Sequence, residues 1–177
     1  MRARSIIVGV ATTVVVLVVI AAIIWPMFAR THCGDGHKPR CLTNLKSIGL
    51  AIKMYVNDND EAYPPADRWC DALIPYSKNM SDFRCYLLPD ARGAFAYNRR
   101  LSGVAERSIN HPADVVMAFE SRPGWDLSGG VELATCRHPE GFFVLYVDGH
   151  TQTLDCMSGL HWDPAYEPGQ PAKGRKK

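Results

Sequence analysis

The residues from Ile6 to Phe28, IIVGVATTVVVLVVIAAIIWPMF, form a run of 23 without one charged side chain. As a helix rising about 1.5 Å per residue, such a run reaches ~35 Å, enough to cross a ~30 Å hydrocarbon core with some tilt. Thr12 and Thr13 can bond back to helix carbonyls, and Trp25 lies near one end, where an amphipathic ring suits the headgroup region. A cleavable secretory signal has an apolar core of only about 7–15 residues. No small-x-small site follows, because Met27 occupies the −3 place of Met27-Phe28-Ala29, and Ala29-Arg30-Thr31-His32 before Cys33 is not a lipoprotein acceptor. The run therefore predicts a transmembrane helix over 6–28. Arg2 and Arg4 before it, with no acid, favour a cytoplasmic tail of residues 1–5, although Arg30, His32, Lys38 and Arg40 follow the span. So short a tail and so large a remainder predict a single-pass protein of the bacterial inner membrane with an extracytoplasmic C-terminal domain. Six cysteines, none in a Cys-x-x-Cys pair, agree with an oxidising compartment.

Beyond residue 28 lies enough chain for one ordinary domain with a single core. Arg2 and Arg4 are two of the 20 basic residues, which leaves 18 against the 18 acids. That neutral balance argues against a nucleic-acid partner, which needs a basic stripe to release phosphate counterions. The end of the chain combines Lys173, Arg175, Lys176 and Lys177 with Pro164, Pro168, Gly169, Pro171 and Gly174, and reads as a disordered basic tail over 161–177.

Residues 29–39 hold two glycines and Pro39, which interrupt any helix leaving the apolar run. His32, Cys33 and His37 could be taken as a metal cluster; a polar hinge with a structural cysteine is the better reading. The exported domain is expected over 40–160. From Arg40 to about Asn57 the pattern is helical, with Leu42, Leu45, Gly49, Ile52 and Val56 on one face. Gly49 on that face suggests a close approach to the partner it packs on. Asn57-Asp58-Asn59-Asp60-Glu61 then ends the helix. Asp58, Asp60 and Glu61 are weak calcium candidates, because the run lacks the central glycine and distant glutamate of an EF-hand loop. Asn and Asp also stop helices by bonding to local backbone. A short helical piece over Trp69–Tyr76 and strands over Ala94–Tyr97 and Val115–Phe119 follow. Phe142–Val147 and His150–Leu154 flank Asp148-Gly149, the preferred two-residue hairpin turn, in which both central residues take positive φ. The first strand of that hairpin is apolar throughout and should be central, the second nearer the edge. The fold class expected is α+β.

Cysteine spacings of 8, 29, 15, 51 and 20 residues match no zinc knuckle or ribbon. Six cysteines allow about fifteen pairings; the expectations are Cys136–Cys156 flanking the hairpin, Cys70–Cys85 closing a loop, and Cys33–Cys41 remaining. His138 and Asp148 would lie about 30 Å apart in an extended chain, so Asp148 is read as a turn residue and His138 as a cap where the strand begins. No Gly-x-Ser-x-Gly, phosphate loop or nucleophile–base pair is legible, so neither an enzyme nor a cofactor is expected.

The apolar start, the helix CLTNLKSIGLA at 41–51 and the late hairpin occur in an order that resembles type IV pilin-like proteins, in the group carrying a late His-x9-Asp-Gly motif. That motif is His138 with Asp148 and Gly149 here; Cys41, Asn44, Leu45, Lys46 and Gly49 carry the helix motif. Tyr55 through Pro64, Pro75–Asn79 before Phe83-Arg84-Cys85, and Tyr97-Asn98 extend the likeness over roughly residues 20–155. The resemblance implies an N-terminal transmembrane helix and a pilin-like helix packed on a small antiparallel β-sheet. It also implies a structural subunit of a type II secretion pseudopilus or type IV pilus-like assembly, with the membrane and other pilin-like subunits as partners. Family members usually carry Gly and then Phe-Thr-Leu-x-Glu where a prepilin peptidase cuts. Arg4-Ser5-Ile6-Ile7-Val8-Gly9-Val10 has neither that glycine nor that glutamate, which supports the alternative of an uncleaved, anchored extracytoplasmic binding module.

Overall fold

The computed structural model describes residues 14–22, 38–155 and 159–168. Contacts divide the chain into two units, 1–35 and 36–177, and each is described by itself.

In the first unit, residues 14–22 are helical. Among the described residues no helix is long and apolar enough to cross a membrane. The expected transmembrane helix is corrected accordingly. The rest of the 6–28 run, the 1–5 tail and residues 29–37 of the expected hinge lie outside the described residues.

The second unit is α+β. Its long helix, α1 (Lys38–Asp58), begins two residues before the expected start and takes in the end of the expected hinge. Pro39 falls in the first turn, where a missing N–H leaves no bond unmade. Cys41, Leu45, Ile48, Ile52 and Val56 recur at three and four residues and are buried, while Leu50 and Met54 face outward. Gly49 lies against the sheet: a Cβ there would stand 3.1 Å from both methyls of Leu145. The acidic run stops the helix as a turn. Asn59 Nδ2 donates to the Tyr55 carbonyl at 2.8 Å, Glu61 N–H donates to the Val56 carbonyl at 3.0 Å, and Asp60 and Glu61 are left-handed, with φ of 51° and 59°.

After the short α2 (Trp69–Leu73) come the strands β1 (Phe95–Asn98), β2 (Val116–Glu120), β3 (Ser128–Gly129), β4 (Phe142–Tyr146) and β5 (Thr151–Leu154), in the order β3-β1-β2-β4-β5. The sheet is mixed, which corrects the antiparallel expectation. β1 pairs antiparallel with β2 but parallel with β3. The cause is chain direction: the segment after β2 reverses at Pro123-Gly124 and returns along the free edge of β1, so it runs opposite to β2 and with β1. β4 is buried at every position between β2 and β5, and β5 is the partly exposed edge.

The hairpin turn also differs from expectation. Gly149 takes φ of 94°, but Asp148 is not among the residues with positive φ. Tyr146 N–H donates to the His150 carbonyl and Gly149 N–H to the Tyr146 carbonyl, both at 2.9 Å. The loop is thus three residues closed by a left-handed glycine, the next most common hairpin solution.

Side chains alternate between two cores. Phe143, Leu145 and Val147 face α1 with Phe95 and Tyr97; Phe142, Val144 and Tyr146 face the other way with Ala96 and Phe119. β2 breaks this alternation. Val116 pairs with Tyr146 and Ala118 with Leu145, so β2 carries one extra residue, and Met117 and Ala118 both point toward α1. This is a β-bulge. Beyond it, Phe119 lies on the far face and Glu120 on the helix face.

The far face is covered by Leu127, Leu133, Ala134, Leu160 and Trp162. Residues 161–168, expected in the disordered tail, pack on the body: Trp162 belongs to this cover and Tyr166 to the helix-side core. Val116 N–H donates to the His161 carbonyl at 2.9 Å, and Trp162 packs edge-on against Phe119 at 4.8 Å. The rest of that tail, 169–177, is outside the described residues.

Candidate functional site

Where the first turn of α1 meets the sheet, four buried side chains from separate parts of the chain converge. Cys41 comes from α1, Cys85 from the segment after a 3-10 turn at Met80–Phe83, Glu120 from the end of β2 and His138 from the loop before β4. Their exposures are 0, 1, 0 and 6 %. Cys41 Sγ donates to Cys85 Sγ at 3.0 Å, and Cys85 Sγ lies 3.4 Å from His138 Nε2. His138 Nε2 is 2.7 Å from Glu120 Oε1. The angle there makes no hydrogen bond, so Glu120 Oε1 and His138 Nδ1 are buried polar atoms without a hydrogen-bond partner. The other carboxylate oxygen accepts the Phe143 N–H at 3.1 Å.

Local structure explains the convergence. Asn44, one turn along α1 from Cys41, donates its amide to the carbonyls of Ser81 and Arg84 at 3.2 and 2.8 Å, which fixes Cys85 beneath the helix. A tight turn, with Gly141 N–H donating to the His138 carbonyl at 3.1 Å, doubles the chain back before β4. It sends the imidazole inward, stacked on Phe143 at 4.8 Å. Arg137 beside it donates to the carbonyls of Ala94 and Ser121, bracing the loop. A cleft of about 320 Å³ lies next to the cluster, bordered by Arg40, Asn44, Arg84, Cys85 and Tyr86.

The electrostatics favour negative charge on Cys85. The Cys41 S–H, the Leu87 N–H, His138 and Arg137 hold its thiol well below the usual range against the opposing effect of burial. Cys41, donating to that sulfur and itself buried, is pushed up. Burial raises the Glu120 carboxyl to about 8, opposed by the Phe143 N–H and the Arg137 guanidinium. The two sulfurs and the imidazole nitrogen, all within 4.8 Å of one another, can hold a metal ion, and the sulfurs alone can form a disulfide. Burial leaves little room for a substrate.

The structure brings together Cys41 and His138 from the resemblance motifs, with Asn44 as a brace beside them. His138 does not cap β4; it enters the buried cluster. Asp148 is exposed and pairs instead with His150, its Oδ1 2.6 Å from Nδ1 and accepting the His150 N–H at 2.9 Å. Leu45 is core and Lys46 is exposed. Cys70 and Cys85 are not bonded to each other, which corrects that pairing. Cys70 is a buried residue of α2, its N–H donating to Asp126 Oδ1 at 2.7 Å. Cys33 and Cys156 lie outside the described residues, and with them the pairings Cys33–Cys41 and Cys136–Cys156 and the His32/Cys33/His37 cluster. Among the described residues Asp58, Asp60 and Glu61 do not converge as ligands, and Glu61 accepts Arg107 at 2.6 Å. Glu120 was missed by sequence reasoning; the available signal was an acid directly continuing an apolar strand run. Compared with family models, curated proteins and solved structures, the chain finds no match.

Proposed function

We propose that the chain is a pilin-like assembly subunit of a type II secretion or type IV pilus-like structure, joined to other pilin-like subunits through its apolar N-terminal helix. The observation that carries this reading is the helix at 14–22. Every large side chain from Val14 to Ile20 is 44–62 % exposed, around the whole circumference. A helix apolar on all sides is a buried element in its working state. Packing among several equivalent helices covers all its faces at once, as a single flat partner surface cannot.

A photo-crosslinking amino acid in place of Leu17 in the full chain, activated in cells, tests the reading. Adducts to further copies or to other pilin-like chains are expected. Labelling confined to lipid, or no adduct, would overturn it.

A further inference from the structure

We propose that Cys41, Cys85 and His138, joined by Glu120 beside His138 as fourth ligand, bind a divalent cation of the zinc class that clamps α1 onto the sheet. Cys41 Sγ, Cys85 Sγ and His138 Nε2 all lie within 4.8 Å of one another. Glu120 Oε1 stands 2.7 Å from that nitrogen without a hydrogen bond, outside the converging trio, and is the fourth ligand that the proposal adds to it. Two thiolates, an imidazole and a carboxylate are a donor set that borderline-soft zinc accepts. Four protein ligands and near-complete burial describe a structural site rather than a catalytic one, which keeps a position open.

Two further features fit a metal–thiolate centre. Backbone N–H groups of Tyr86 and Leu87 donate to Cys41 and Cys85 respectively, a means of spreading thiolate charge. Two thiolates and a carboxylate carry three negative charges; a dication and the nearby Arg137 guanidinium carry three positive ones. On binding, the protons held by the thiols and by the Glu120 carboxyl pass to solvent, and His138 coordinates as neutral imidazole through Nε2.

A disulfide is the rival. From zinc–sulfur bonds of about 2.3 Å, a tetrahedral site places its sulfurs ~3.8 Å apart, while a disulfide needs about 2.05 Å. The observed 3.0 Å lies between them, so the sulfurs alone do not decide. The 3.4 Å from Cys85 Sγ to His138 Nε2 does bear on it, being close to the ~3.5 Å of a tetrahedral sulfur–nitrogen pair. The cation enters as the chain folds, because the neighbouring cleft is flanked by the cations Arg40 and Arg84.

The test is refolding of the full-length chain with reduced thiols, without oxygen, in the presence of Co²⁺. The expected result is one Co²⁺ per chain, with a near-ultraviolet sulfur-to-cobalt charge-transfer band and intense tetrahedral visible bands, both abolished by Zn²⁺. Cys85→Ser should remove the charge-transfer band or reduce it sharply, and Cys70→Ser should leave it intact. Should Cys85→Ser fail to fold, the isosteric Glu120→Gln is the second variant, expected to shift the visible bands and weaken Co²⁺ binding at least ~10-fold. A folded, reduced chain that takes up no Co²⁺ would overturn the proposal. So would equal binding by Cys85→Ser, or a Cys41–Cys85 disulfide found by peptide mass in protein isolated under thiol-blocking conditions.

Discussion

The two faces of the sheet draw on the same five strands but are covered differently. On one side α1 supplies a regular row of apolar side chains, and the polar cluster of Cys41, Cys85, Glu120 and His138 lies at its first turn. On the other, irregular segments around 127–134 and 160–162 supply Leu127, Leu133, Leu160 and Trp162, with no buried acid or histidine among the described residues of that core. A helix fixes side-chain positions at set intervals, so Cys41 and Asn44 can act together, one as a ligand candidate and one as the brace that brings Cys85 to it. A loop can adapt its shape to apolar neighbours but holds polar groups less accurately. Chemistry in this molecule therefore sits under the rigid cover.

Tryptophan substitutions break the comparison most directly. Trp69 is fully buried on the helix side, stacked on Tyr97 at 5.7 Å, with Nε1 donating to the Leu127 carbonyl at 2.9 Å. Trp69→Ala should destabilise by about 3–5 kcal/mol in urea unfolding. Trp162→Ala removes a half-buried ring from the far face and should cost about 1–2 kcal/mol. Equal losses would mean that the loop cover is as tightly packed as the helix cover.

Gly49 sharpens the same contrast at the contact between α1 and β4. Gly49→Val, with branches directed at Leu145, should lower stability by about 2 kcal/mol through overpacking. Gly49→Ala should change it by less than about 1 kcal/mol, since better helix propensity offsets the 3.1 Å contact. Thermal melts of both variants give the ratio. At the smallest scale, Arg107→Ala removes the exposed pair with Glu61 and should move stability by no more than ~0.5 kcal/mol. A larger loss would show that the turn ending α1 depends on that pair.

A fourth expectation concerns reactivity. Burial raises the Cys70 thiol, with nearby Asp126 and Asp71 adding to the effect. Since the thiolate is the reactive form, Cys70 should resist iodoacetamide in the native chain at neutral pH and react only on unfolding. Peptide mass after brief alkylation gives the answer.

Much of the body was legible because its signals are local. The three-and-four spacing of Leu45, Ile52 and Val56 marked α1, Asn57–Glu61 marked its end, and the apolar run at 142–147 marked the central strand. The far cover was hidden: prolines and glycines around Trp162 suggested disorder, but the aromatic ring finds Phe119, and Asn98 Nδ2 donates to the Trp162 carbonyl at 3.0 Å. The cluster was hidden for a different reason. Cys41 and Cys85 are 44 residues apart, and nothing in their spacing favours that partnership over others. Loop closure between distant residues leaves no periodic trace in sequence.

Glu120 owes its place among the sulfurs to the bulge at Met117 and Ala118. With strict alternation from Val116, the residue at 120 would share Val116's side of the sheet, against Trp162 and Phe142. The single surplus residue reverses the parity of everything after it, so the position of that acid is written as a count rather than as a residue type. Removing one residue there would preserve every ligand candidate and still send the carboxylate to the wrong core. The chemistry of this site is thus open to loss by deletion as readily as by substitution.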